Sequence, residues 1–225
     1  MSLAQSSVIE PHHGQADACV ILLHGQGSSG FGFEPIVHAL ALPDASRVRF
    51  VLPGAPIRPL SCRGGERASA WYDAAAGERA EGAGLAQADT AVAEVNALIG
   101  EARGIGIDTG RILLGGFGQG ADIAARAALA HSKGLGGLML LSPDLSCPLS
   151  TYHPANRHLL IAMHHGRRDP LVPEAAARRY AGALNGRGYS IDYHSHDMGN
   201  AFCAEELYQL RAWMIARLIR TRLVA

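Results

Sequence analysis

No excess of charge marks this sequence: 20 lysine and arginine residues balance 20 aspartate and glutamate residues. That balance gives no electrostatic basis for a nucleic-acid partner or an anionic membrane surface. No apolar run comes near the roughly 18 residues of a membrane-spanning helix, so no transmembrane segment is expected. The opening MSLAQSSVIEPHHG has neither the basic start nor the apolar stretch of a secretory signal. Cysteines are few and scattered (Cys19, Cys62, Cys147 and Cys203), with no C-x-x-C pair. Such cysteines predict reduced thiols and a cytoplasmic location, with Cys19 read as packing. Repeats, low-complexity tracts and linkers are also lacking, so residues 1–225 are expected to form one domain.

Present instead are 48% hydrophobic residues and 27 glycines, the composition of a loop-rich globule. Ala18–Leu23 (ACVILL) is a continuous apolar run, as in a strand buried on both faces of a parallel sheet. Arg47–Leu52, the apolar run that opens Arg111–Gly120 ahead of its glycine-rich turn, Gly137–Leu141, His158–His164 and Tyr189–His194 read as further strands. Helices are expected over Leu85–Arg103, Ala121 to about Ala130, Glu174–Leu184 and Glu205–Leu218, and Leu60–Asp73 is read as irregular. Strands alternating with helices predict a doubly wound, mostly parallel α/β sheet, whose sites form at strand carboxyl ends.

Three stretches fall at such ends. The first is His24-Gly25-Gln26-Gly27, a glycine-rich turn whose free backbone N–H groups can form half of an oxyanion hole, or an ordinary tight turn. The second is Gly116-Phe117-Gly118-Gln119-Gly120, a strand–turn–helix junction. The nucleophile elbow G-x-S-x-G of α/β-hydrolases has this frame, but here glycine stands at the reactive position. Gly118 keeps the turn and relaxes it, and the Gln119 N–H is expected to point into the site. The third joins Asp169 to Asp197-Met198-Gly199-Asn200. Hydrolases of this architecture carry an Asp after the penultimate strand and a His after the last. Asp169 is in place; Asn200 stands where the His is expected, and a neutral amide takes no proton from a nucleophile.

These pieces (ILLHGQGSSG, LPGAP, AWYD, GGFGQG, HGRRDPLVP and MGNAFCAEEL followed by Trp213) cover almost the whole chain in order. The chain resembles the carboxylesterase/acyl-protein thioesterase (phospholipase/carboxylesterase) family of α/β-hydrolases. There the motifs read roughly LHGxGxxG, PxAP, AWYD, GFSQGG, HGxxDxxVP and MGHxVxxEEL. The resemblance implies an esterase or thioesterase acting on acyl chains without metal or organic cofactor. It also implies Asp169 as the orienting acid and the N–H groups of Gln26 and Gln119 as oxyanion donors. Gly118 and Asn200 are the departures, at the nucleophile and histidine positions.

The leading expectation is a degenerate member that binds a small acyl, ester or carboxylate compound, or a protein partner, at a site walled by His24, Gly25, Trp71 and His196. The family also implies a possible homodimer. Two alternatives stay open. One is a repurposed or residual esterase in which Asp169, His196 and Gln119 polarise a water or a substrate carbonyl, with His196 standing in for the base. The other is an engineered inactive form of an active enzyme, although two simultaneous changes would be redundant there. His194 and His196 share one strand face and can hold a metal with Asp169 or Asp197, or simply end a partly exposed strand; no typical ligand spacing accompanies them, so no metal is expected. His164 and His165 read as one core and one loop residue, His12 and His13 as a surface turn, and Cys203 as packing. Arg167 and Arg168 can attract an anion or lie solvated.

Overall fold

The computed structural model describes residues 6–43, 46–74, 81–143 and 152–219; Cys147 lies outside them. Seven strands form one sheet: β1 (Ser7–Ile9), β2 (Ala18–Leu23), β3 (Val48–Leu52), β6 (Ile112–Phe117), β7 (Gly137–Leu141), β8 (Leu160–Gly166) and β9 (Ser190–His196). Their spatial order is β1-β3-β2-β6-β7-β8-β9. Only β1 runs antiparallel, pairing Ser7 with Leu52 at the edge; the other neighbours are parallel. A small hairpin of β4 (Ile57–Pro59) and β5 (Arg67–Ser69) stands apart.

The uninterrupted apolar strands follow from helices on both sheet faces. Along β2, Cys19, Ile21 and Leu23 enter one core with α2 (Gly82–Gly104) and α3 (Gln119–Ala130). Ala18, Val20 and Leu22 enter the other, with α1 (Glu34–Leu40) and α5 (Ala204–Ile219). The remaining helix, α4 (Glu174–Asn185), packs on β8 and β9. Gly137 makes room for α5: a Cβ there would lie 2.5 Å from the Trp213 ring. Arg111 ties the far end of that helix to β2, donating to the Leu218 carbonyl at 2.9 Å and to Asp17 Oδ1 at 2.7 Å.

Several sequence expectations shift. Leu60–Asp73 is not irregular throughout, because Arg67–Ser69 pairs antiparallel with Ile57–Pro59. The strand expected at His158 begins at Leu160, since a 3-10 turn over Pro154–Asn156 continues through the Leu159 N–H bond to the Asn156 carbonyl. The helix expected from Ala121 begins at Gln119, immediately after Gly118.

Candidate active site

Gly118 caps α3 with φ 55° and ψ −120°. A residue with a Cβ is strained at such positive φ, whereas glycine is not. Its N–H donates to the Leu141 carbonyl at 2.9 Å, and its carbonyl accepts from the Ala121 N–H at 3.1 Å. The neighbouring glycines are demanded by clearance: a Cβ on Gly116 would lie 2.3 Å from the Gly120 carbonyl, and one on Gly120 would lie 2.4 Å from the Leu23 carbonyl oxygen. At Gly118 a Cβ would meet nothing nearer than the Gly25 Cα at 3.8 Å. The turn therefore has the sharp strand-to-helix backbone of an elbow, with room for a side chain at position 118.

The loop after β2 lies directly against it. His24 is fully buried. Its Nδ1–H donates to the Gly25 carbonyl at 2.8 Å, and its Nε2 accepts from the Ala55 N–H at 3.0 Å. Both ring nitrogens are thus committed to backbone, and burial lowers the imidazole's proton affinity. Gly27, at φ +80°, donates its N–H to the Ser69 carbonyl at 2.7 Å, joining the loop to β5. Trp71 is buried as well, with its indole N–H donating to the His24 carbonyl at 2.8 Å. His24 and Trp71, expected as walls, sit as buried supports of the loop.

Gln119 has a role that its position in a motif does not announce. Its Oε1 accepts from the Trp71 N–H at 2.8 Å, and its Nε2 donates to the Tyr72 carbonyl at 2.9 Å. The Tyr72 hydroxyl in turn donates to Asp122 Oδ2 on α3 at 2.7 Å. The amide works like one more strand on the Trp71–Tyr72 backbone. The Gln119 N–H, in the first turn of α3, has no acceptor within its own helix.

The loops after β8 and β9 supply the third part. Asp169 Oδ1 accepts the N–H groups of Leu171 at 2.8 Å and Val172 at 3.1 Å, and Oδ2 accepts Asn200 Nδ2 at 2.8 Å. The Asp169 side chain is fully buried, with three donors around its charge. The structure thus brings Asn200 against Asp169, which it serves as a donor. His165 Nε2 is 3.8 Å from Asp169 Oδ2 and donates instead to the Val172 carbonyl at 2.9 Å.

His196 does not join this group. It is 1% exposed, not a partly exposed strand end, and its Nε2 lies 2.9 Å from His164 Nδ1. His164, His194 and His196 stack on one sheet face, with the His164 and His196 rings only 3° from parallel. Burial, then the neighbouring imidazoles, lowers His164 to about 3. His196 is also lowered, chiefly by burial, with Glu205 opposing. In the first turn of α5, burial raises Glu206 to about 8, the Cys203 backbone offsetting only part. His165 is as buried as His164, so neither is a loop residue; the strand continues to Gly166. Among the described residues no cluster of His, Cys, Asp and Glu is arranged to hold a metal ion. Arg167 and Arg168 donate to the Ser195 and Asp197 carbonyls, which turns them along the β9 exit.

The model of the phospholipase/carboxylesterase family matches residues 4–216. Acyl-protein thioesterase 1 of Mycosarcoma maydis is 30% identical over 235 residues, covering 95% of this chain and 97% of that protein. Carboxylesterase SOBER1 of Arabidopsis thaliana is 25% identical, covering 88% of this chain and 90% of its own. The SOBER1 crystal structure superposes with a TM-score of 0.81 at 24% identity, over 89% of this chain and 99% of that one. For Zea mays acyl-protein thioesterase 2 the TM-score is 0.79 at 24% identity, over 95% and 98%. No helix among the described residues is long and apolar enough to cross a membrane. With sheet order, elbow backbone and near full-length similarity in agreement, the chain belongs to the phospholipase/carboxylesterase family of α/β-hydrolases.

Proposed function

We propose that this chain has lost the family's serine-dependent hydrolysis and keeps the elbow as a binding site for a small acyl, ester or carboxylate compound. One observation carries the reading: Asn200 Nδ2 holds Asp169 at 2.8 Å while the elbow residue, Gly118, has no side chain to activate. An amide on the acid cannot cycle a proton, and a glycine cannot be acylated. Removing the serine or histidine of a catalytic triad lowers turnover by roughly 10⁶, and removing both costs little more because they act as a unit. What survives is the donor side of the machinery. Gln119 follows Gly118 directly, and the Gly25 Cα lies 3.8 Å from where a Gly118 Cβ would stand; on this reading the N–H groups of Gln26 and Gln119 are the donors, and both loops are pinned by buried hydrogen bonds. Relatives named as thioesterases and carboxylesterases point to acyl compounds as the ligand class. The described cysteines, Cys19, Cys62 and Cys203, are free thiols, as a reducing cytoplasm favours.

A base drawn from His196 gains no support, since the ring bonds to His164 on the α5 side. The test is a parallel esterase assay of this chain and its Gly118→Ser/Asn200→His double variant on short- and medium-chain p-nitrophenyl esters. The parent should stay at background while the double variant gains hydrolysis. Turnover by the parent that Asp169→Ala abolishes would overturn the reading.

A further inference from the structure

The hairpin β4–β5 carries its tip over the loop that follows β2. A 3-10 turn, Ser61–Arg63, forms this tip and is fixed from below by Asp73. Ser61 donates its N–H to Asp73 Oδ1 at 2.8 Å and its hydroxyl to Oδ2 at 2.6 Å. The N–H groups of Arg63 and Gly65 both close on the Leu60 carbonyl, at 3.0 and 2.9 Å. Gln26 Nε2 donates to Cys62 Sγ at 3.3 Å, which joins the tip to the loop beneath. Arg63 Nη2 then lies 3.3 Å from the point where a Cβ on Gly27 would stand. Gly27 leaves the guanidinium its place. Arg63 is exposed and, among the described residues, pairs with no aspartate or glutamate. Arg58 on the same hairpin is committed differently, its Nε donating to the Ala70 carbonyl at 2.9 Å.

We propose that Arg63 makes the elbow site select acyl ligands bearing a second, anionic group: carboxylates a short methylene spacer away from the bound carbonyl, as in monoesters of short dicarboxylic acids. The proposal rests on the elbow being a ligand site. Gly27 follows Gln26, so their Cα atoms are about 3.8 Å apart, and the guanidinium over Gly27 stands within reach of a short ligand whose carbonyl oxygen is held by the Gln26 and Gln119 N–H groups. A guanidinium there offers a planar fork of donors matched to a carboxylate. The turn that carries it is already ordered by Asp73, so binding does not have to organise the loop.

The experiment titrates the protein with monomethyl glutarate and with dimethyl glutarate, following the amide resonances of Gly118, Gln119 and Gly27. Both esters should shift Gly118 and Gln119, and the charged monoester should bind about fivefold tighter, a margin that shrinks in high salt. Arg63→Gln should abolish that margin without weakening the neutral diester, and Arg63→Lys should keep part of it. A monoester preference that survives Arg63→Gln, or no preference in the parent, overturns the role of Arg63 and leaves the elbow standing as a ligand site. If neither ester moves Gly118 and Gln119, the elbow reading falls and this assignment with it.

Discussion

At Gly118, conformation and space make opposite demands. The backbone at φ 55° disfavours any side chain, yet a Cβ would find nothing closer than 3.8 Å. A serine restored there meets only the conformational penalty, so Gly118→Ser alone should destabilise the fold by about 1 kcal/mol. A urea midpoint checks this, and an unchanged or raised midpoint would show a relaxed turn. The single variant should also stay inactive, because Asn200 supplies no base. Asn200 keeps the Asp169 carboxylate supplied with a donor. A buried carboxylate that loses a donor is costly, on the order of 1–3 kcal/mol, and the asparagine amide keeps that donor. This pairing was legible in the sequence through chain order alone, Asp169 after one strand and Asn200 after the next. The burial of His196 against His164 was not, because a strand pattern gives the face of a side chain but not what packs over it.

Among the elements, α3 is tied to the Trp71–Tyr72 backbone by the Gln119 amide, beside the Tyr72 hydroxyl bond to Asp122. Gln119→Ala would strip a donor from the Tyr72 carbonyl and an acceptor from the Trp71 N–H, both buried. The expected loss is about 2–4 kcal/mol, read as a lower urea midpoint with unchanged slope. An unchanged midpoint would mean that the two backbone groups find other partners. Strand reading succeeds here in proportion to burial. Ala18–Leu23 and Gly137–Leu141 have the boundaries expected of them because they are apolar on both faces and end at polar or glycine residues. The three-residue strands Ser7–Ile9, Ile57–Pro59 and Arg67–Ser69 are too short for any period to appear, and their pairing is decided by distant partners. The seven-residue α1 is similarly brief and starts with a proline in its first turn. The tip that carries Arg63 hangs on Asp73, a contact no local pattern encodes.

For the whole molecule, two buried groups bend the pH dependence of stability in opposite directions. His164 titrates near 6.5 when unfolded and about 3 in the fold, so the unfolded chain binds more protons between those values. Stability is therefore lost as pH falls through that window, at up to about 1.4 kcal/mol per unit. Glu206 runs the other way: its folded value of about 8 exceeds the ordinary 4.5, so the native state holds the extra proton and stability is lost as pH rises from 4.5 to 8. Between 4.5 and 6.5 the slopes oppose, and a plateau should appear there. Above it, stability should fall by about 2 kcal/mol by pH 8, and Glu206→Gln should remove that fall while leaving the acid limb in place. Denaturant melts of both proteins across pH 3.5–8.5 test this; an alkaline limb that persists in the variant would clear Glu206 of the effect.

The clearances at Gly116 and Gly120 also bear on how such a chain can drift. Any side chain at either position would run into backbone, of Gly120 in the first case and of Leu23 in the second, so the strand-to-helix crossing is sterically frozen. Gly118, at the serine position of the G-x-S-x-G frame, is where geometry leaves room for a side chain. On this scaffold a side chain at position 118 can therefore be gained or given up without a backbone clash, while the crossing on either side of it stays fixed.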